Sequence, residues 1–117
     1  MKSTAINGEY RDLPIAILTE SPTNPRKRFD EKALEELAAS FKTQGVLEPL
    51  LVRQIEEENF QVVIGARRLR AARLAELERV PVRVKKLTDA EAIEAQVVEL
   101  SVVVKRFLSA FAGLHVV

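Results

Sequence analysis

Residues 60–73 read FQVVIGARRLRAAR: a short apolar run, one glycine, and then four arginines within seven residues. The run Phe60–Ile64 has the length and β-branched content of a buried strand. Gly65 permits a sharp turn, and the residues after it are good helix formers. The stretch therefore predicts a strand, a glycine turn and a helix that runs from Gly65 to about Glu78.

The arginines of this helix stand in an unusual place. Arg67 and Arg68 fall in its first turn, where the helix dipole favours Asp or Glu. A bound anion would offset the repulsion, and a helix that begins at a glycine after a strand presents free N–H groups to phosphate. The alternative is a solvated basic helix face, and these residues alone leave both interpretations open.

Composition excludes several classes of site. The 117 residues, 47% hydrophobic and 30% charged, are typical of one soluble globular domain. Without cysteine there is no disulfide, thiolate zinc site or cysteine nucleophile, and a single histidine, His115, argues against a histidine metal centre. Neither a signal peptide nor a membrane-length apolar run is found, so we expect a cytoplasmic protein without a membrane partner.

The segments on either side of residues 60–73 predict the rest of the fold. Asp30 is a good N-cap for a helix that ends at Gly45, and Thr88 with Glu91 forms a capping box for a later helix. PLLVRQI and FQVVI read as a hairpin, and RDLPIAIL and VPVRVKKL as further strands. The order β-α-β-β-α-β-α predicts an α/β (α+β) domain with a small mixed sheet and three to four helices.

Both ends of the chain differ from its middle. Residues 1–10 are predicted to form a flexible arm and residues 11–100 the domain. Residues 101–117, SVVVKRFLSAFAGLHVV, contain eleven apolar residues of seventeen and no acid. We expect this apolar tail either to pack on the domain or to form a dimer contact.

Two other segments are candidate functional loops. NPRKRF, residues 24–29, displays Arg26 on a proline-bearing loop, although charge there also serves solubility. In TQGVLEPLLVR, residues 43–53, Gly45 and Pro49 have structural roles as a helix stop and a strand start. Arg53 is open to two interpretations, a functional cation or an edge-strand charge.

Together, the three segments resemble the N-terminal domain of the ParB family of plasmid and chromosome partition proteins. That family pairs an NPR…F loop and a GxxQPxxVR segment with a GERRxRA box and a later ENxxR motif. The matching stretches here are Asn24-Pro25-Arg26…Phe29, Gly45–Arg53, Gly65–Ala71 and Glu99–Val103. The resemblance covers about residues 10–99 and implies a ParB/sulfiredoxin-like fold.

The resemblance also implies a function. Family members are CTP-binding switches in which CTP and Mg²⁺ close two N-terminal domains around DNA. The resemblance therefore implies CTP and Mg²⁺ as cofactors and a homodimer as the assembly. It also implies that the N-terminal arm contacts a partition ATPase. Carried over by position, the phosphate-binding residues are Gly65, Ala66, Arg67, Arg68, Arg70 and Arg26. The nucleoside would be flanked by Gly45, Val46, Leu47, Glu48 and Pro49, and Glu99 would be the metal ligand.

The sequence departs from the family pattern at four of these places. Ala66 replaces the glutamate of the GERR box, and Glu48 replaces the glutamine before proline. Leu100 and Val103 stand where ENxxR has its asparagine and arginine, so the resemblance implies at most a weak CTPase.

Two alternatives of other classes remain. One is a nonspecific DNA-binding or nuclease-like module, for which only Glu48 and Glu99 are candidate metal-binding acids near the basic box. The other is a degenerate interaction domain with no ligand. The family's helix-turn-helix domain would follow residue 117, so we expect DNA binding through this chain to be sequence-independent.

Overall fold

The computed structural model describes residues 8–25 and 27–116. They form five strands and three helices in this order: β1 (Glu9–Pro14), β2 (Leu18–Glu20), α1 (Glu31–Gln44), β3 (Leu50–Glu56), β4 (Asn59–Ile64), α2 (Ala66–Leu74), β5 (Arg79–Val84) and α3 (Asp89–Val116). The first predicted strand is in fact two, because the chain turns through a 3₁₀ segment, Ile15–Ile17, directly after Pro14.

The five strands form a single mixed sheet in the order β1-β5-β3-β4-β2. The β3–β4 hairpin and the β1–β5 pair are antiparallel, whereas β3–β5 and β2–β4 are parallel. Because β3 lies at the centre, Arg53 on this strand is not an edge-strand charge, and that interpretation is wrong.

Alternating side chains divide the sheet into two packed faces. On one face, Leu50, Val52 and Val62 join the main core beneath α1 and α2. On the other face, Leu51 and Val63 pack against Ala92 of α3. The result is a three-layer α/β domain, which confirms the predicted fold class.

Local sequence signals set several helix ends as predicted. The Asp30 carboxylate accepts a hydrogen bond from the N–H of Lys32, and Thr88 and Glu91 exchange the two bonds of a capping box. Helix α2 is shorter than predicted, ending at Leu74, whose side chain is half exposed. Within the described ranges, no helix has the length and apolar content of a membrane span.

The two terminal segments differ from their predicted boundaries. Glu9 and Tyr10, assigned to the flexible arm, belong to β1, and the arm before residue 8 lies outside the described residues. Residues 101–116 continue α3 without a break. Val104 and Leu108 are about half exposed, so this part of the helix is not packed into the domain core.

Candidate functional site

A cavity of about 490 Å³ lies where the ends of α1 and β4 meet the start of α2 and one side of α3. Its size is in the range of small-molecule sites, roughly 300–1,000 Å³. The three sequence segments meet here, since the lining residues include Asn24, Pro25 and Phe29; Gly45, Val46, Leu47 and Glu48; and Gly65, Ala66, Arg67 and Arg68.

Gly65 sets the geometry of the basic end of the cavity. Its φ of 115° is one that side-chain-bearing residues rarely adopt, and a Cβ there would lie 2.9 Å from Cγ of Leu50. The first bond of α2 runs from the N–H of Leu69 to the carbonyl of Gly65. The N–H groups of residues 66–68 therefore precede the helical ladder, where an anion can accept from them.

The two first-turn arginines have different surroundings. Arg68 donates from Nη1 to the carbonyl oxygens of Glu48 and Pro49, at 3.0 and 2.6 Å. It therefore holds the 45–49 segment against α2. Arg67 lines the cavity and has no hydrogen bond or ion pair among the described residues, so its guanidinium is available to a ligand.

Arg70 is engaged elsewhere. Its Nε and Nη2 donate to the two carboxylate oxygens of Glu20, at 2.7 and 3.0 Å, and its guanidinium carbon lies 4.5 Å from the centre of the Phe29 ring. The hydrogen bond from Arg70 lowers the pKa of Glu20 below its ordinary value, although partial burial opposes this. Arg70 is not among the cavity-lining residues, and Phe29 connects it to the cavity wall.

The remaining predicted residues are distributed as follows. Pro49 touches the site through its carbonyl bond to Arg68 rather than by lining the cavity. Arg26 lies outside the described residues. Glu99 lines the cavity, as do Leu100 and Val103 at the positions that depart from the family motif.

Gln96 of α3 is a site residue that sequence reasoning missed. Its buried amide donates from Nε2 to the carbonyl of Val63 at 3.0 Å and accepts from Oγ1 of Thr23 at 2.9 Å. It therefore ties α3 to β4 and to the loop before Asn24. The sequence signal that could have identified it is a single glutamine four residues after Ala92, on the same buried side of α3.

Arg53 fixes the start of α3 instead of lining the cavity. It donates to Oε1 of Gln61 and to the carbonyl of Leu87, and it pairs with the Asp89 carboxylate at 2.9 Å. The arginine of the GxxQPxxVR-like segment thus has a positioning role.

The cavity holds few groups that could bind a metal. Glu48 and Glu99 are its carboxylates, and within the described residues no three His, Cys, Asp or Glu side chains come together as a metal site. Mg²⁺ beside a nucleotide usually takes one or two carboxylates with phosphate oxygens and water. Glu99 fits that minimal role.

Residues 1–101 match the family described as the ParB N-terminal domain. The chain belongs to this family. A curated relative, the chromosome-partitioning protein Spo0J of Thermus thermophilus, is 49% identical over 87 residues, which cover 74% of this chain and 32% of Spo0J. The chain thus spans about a third of the length of such relatives.

Solved structures agree with this assignment. A C-terminally truncated chromosome-partitioning protein ParB from Caulobacter crescentus, complexed with CTP-γ-S, is 41% identical with a TM-score of 0.73, covering 79% of this chain and 52% of that one. A second crystal structure of that ParB holds the centromeric parS site, with 40% identity, a TM-score of 0.66 and coverage of 76% and 46%. Sulfiredoxin from Arabidopsis thaliana, 19% identical with a TM-score of 0.59 over 76% of this chain and 97% of its own, shares the fold.

Proposed function

We propose that this domain is the nucleotide-binding switch of a ParB-type DNA partition protein, and that it binds CTP in the cavity beside α2. The observation that carries the proposal is Arg67, a first-turn arginine that lines the cavity and has no partner among the described residues. A cation kept at a helix N-terminus against the helix dipole is explained by an anionic ligand.

The two ends of the cavity suit the two ends of a nucleotide. At the α2 end, the N–H groups of residues 66–68 and the Arg67 guanidinium offer donors to phosphate. At the other end, Phe29, Phe41 and Val46 provide an apolar wall on which a base could pack. Arg68 supports both ends indirectly, because it fixes the 45–49 segment to α2.

Mg²⁺ is the second cofactor of the proposal. Glu99 would hold it, and the ion would neutralise phosphate charge. Glu48 is a second carboxylate at the rim, and its charge opposes that of a triphosphate. The nuclease-like alternative is less well supported, because nucleases with two metal ions need more carboxylates than the described cavity provides.

The switch also includes association with DNA and with a second copy. Association with DNA is proposed from the family and from the Caulobacter ParB bound to parS, and association with a second copy from the family alone. Contact with a partition ATPase through the N-terminal arm, and action in the cytoplasm, are proposed from the family alone.

The test is calorimetry with CTP, ATP and GTP, each with and without Mg²⁺. CTP should bind more tightly than the other two, and Arg67→Ala should weaken its binding by roughly tenfold or more, the value of a charge-assisted contact. Arg11→Ala is the matched control, since it removes an arginine from β1, outside the cavity. Absence of binding to all three nucleotides would favour the degenerate interaction domain, and equal affinity for them would contradict a CTP switch.

A further inference from the structure

The Phe29 ring stands between the cavity and the Arg70–Glu20 ion pair. Phe29 lines the cavity, and from its half-buried place just before α1 it also packs on the main core. The guanidinium carbon of Arg70 lies over the ring, 4.5 Å from its centre. This is well within the roughly 6 Å at which a cation is attracted to the face of an aromatic ring. A shift of the Arg70 guanidinium would therefore reach the cavity wall through Phe29.

Glu20 holds this guanidinium in place. Nε and Nη2 of Arg70 donate to the two carboxylate oxygens, at 2.7 and 3.0 Å. Such a two-bond contact fixes the plane of a guanidinium as well as its position. The side chains of Arg70 and Glu20 are only 35% and 25% exposed, so water screens the pair less than a surface ion pair. Glu20, Arg70 and Phe29 thus form a connected row that ends at the cavity.

The same contacts argue against a direct bond between Arg70 and phosphate. Arg70 does not line the cavity, and Nε and Nη2 are already used by Glu20. A phosphate that took these donors would leave a partly buried carboxylate without its hydrogen-bonded partner, which is costly. The arginines of α2 therefore divide, with Arg67 at the cavity and Arg70 behind its wall.

We infer that Arg70 is a positioning residue for the nucleoside end of the ligand. Held by Glu20, it fixes the Phe29 ring against which the base packs. The inference deepens the proposed function and rests on it, because it takes the cavity beside α2 as the nucleotide site. Its consequence is specific: loss of Arg70 should weaken the binding of a cytidine nucleotide whatever the number of its phosphates.

The first test compares CTP with CMP by calorimetry. Arg70→Met should weaken both by the same factor, about two- to fivefold, which is the value of an exposed cation–π contact. Arg67→Ala should instead weaken CTP more than CMP, because Arg67 is placed at the phosphates. A larger loss for CTP than for CMP in Arg70→Met would show that Arg70 binds phosphate, and would overturn the inference.

Arg73→Met is the matched control. Arg73 lies one turn further along α2 and also ties this helix to β2, through a 2.9 Å bond to the carbonyl of Leu18, but it does not line the cavity. Arg73→Met should leave both affinities unchanged. Equal losses in Arg70→Met and Arg73→Met would mean that Arg70 supports only the fold, contrary to the inference.

A double-mutant cycle tests the route through the ring. Phe29→Leu keeps a hydrocarbon side chain but removes the aromatic face, so adding Arg70→Met to it should cost no further affinity. Additive losses would contradict the inference. Glu20→Gln leaves Arg70 present but loosens it, and should weaken CTP and CMP equally; unchanged affinities would contradict the part assigned to the ion pair. Circular dichroism checks that each variant is folded.

A fluorescence measurement needs no nucleotide. The chain has no tryptophan, so Phe29→Trp places a single indole, the strongest aromatic partner for a cation, at the end of the row. Adding Arg70→Met should shift its emission to longer wavelength and increase its quenching by acrylamide, whereas adding Arg73→Met should not. An indole equally accessible in both would overturn the hold of Arg70 on the ring. No binding of CTP by the unmodified chain is a different result: it would overturn the proposed function, and the nucleoside role of Arg70 with it.

Discussion

Arg70 and Glu20 join helix α2 to the end of strand β2 through two hydrogen bonds, at 2.7 and 3.0 Å. Arg73, one turn later, donates to the carbonyl of Leu18 on the same strand. Of the three arginines spaced three apart along α2, only Arg67 lines the cavity. Arg70 and Arg73 thus stabilise the edge of the sheet at β2, whereas Arg67 is available to a ligand.

The first prediction concerns the pH dependence of this ion pair. Glu20→Gln should lower the free energy of unfolding near neutral pH by about 1 kcal/mol, because a charge-assisted bidentate contact becomes a neutral one. The pKa of Glu20 is lowered in the folded protein. The carboxylate therefore stabilises the fold above the ordinary glutamate pKa of about 4.3, and this contribution is lost as the pH falls through the lower folded value.

Urea unfolding of both proteins between about pH 2 and 7 checks this, and the difference between them should disappear at the acid end. Asp12→Asn is the control, since the Asp12–Arg79 pair is at the surface and more exposed. An equal effect of the two substitutions would show that burial of the Arg70–Glu20 pair does not matter.

These arginines also mark how far the sequence could predict the site. The helix caps followed from residues within about four positions of one another, and the hairpin from two neighbouring apolar runs, because these signals are local. The partners of Arg68 and Arg70 lie 20 and 50 residues away in the chain. No local pattern distinguishes an arginine held by such a partner from one that is free.

Gln96 and Leu74 show a second limit on what the sequence could predict. The sequence predicted that this helix runs to about Glu78, but α2 ends at Leu74 and the side chain of Leu74 is exposed. Gln96 is buried with its amide satisfied by the carbonyl of Val63 on β4 and by Thr23 in the loop between β2 and α1. Both outcomes depend on tertiary contacts, which override helical periodicity.

The second prediction compares two glycines with positive φ. Gly65→Ala should destabilise the domain by about 2–4 kcal/mol, because it adds a clash with Leu50 to the cost of a strained backbone. Gly45→Ala meets no atom within 4 Å and should cost about 1–3 kcal/mol, from strain alone. Thermal unfolding of the two variants measures the difference, and a smaller cost at Gly65 would contradict the role assigned to its close contact.

The third prediction concerns the extra charge at the cavity rim. Glu48→Gln should tighten triphosphate binding by about two- to fivefold, because it removes an exposed negative charge screened by water. Stability should not change, since Arg68 is bonded to the backbone carbonyl of Glu48 and not to its carboxylate. Calorimetry at two salt concentrations measures the gain, with Glu36→Gln on the exposed side of α1 as control. Equal effects at both positions would point to net charge alone.

The fourth prediction concerns DNA. Within the described residues no two helices are consecutive, because strands separate α1, α2 and α3, so no helix-turn-helix is present there. Binding by this chain should be weak and sequence-independent, and it should fall roughly 10- to 40-fold from 50 to 200 mM salt for two to three phosphate contacts. Fluorescence anisotropy with a parS duplex and a scrambled one tests this. A tenfold preference for parS would contradict it.

The last prediction concerns CTP turnover, where the departures from the family motif lie in the cavity itself. Leu100 and Val103 present hydrocarbon to the cavity, and Glu99 is the carboxylate beside them. Catalysis of phosphoryl transfer depends almost entirely on positioning and on stabilising phosphate charge, and hydrocarbon does neither. We therefore expect phosphate release no faster than about 10⁻³ per second, the scale of an unassisted nucleotide site.

Leu100→Asn combined with Val103→Arg should raise this rate, because the double substitution returns a polar ligand and a cation to the cavity wall. Val98→Arg, on an exposed side of α3 away from the cavity, should leave it unchanged. Rapid phosphate release by the unmodified chain would show that the roles assigned to residues 99–103 are wrong.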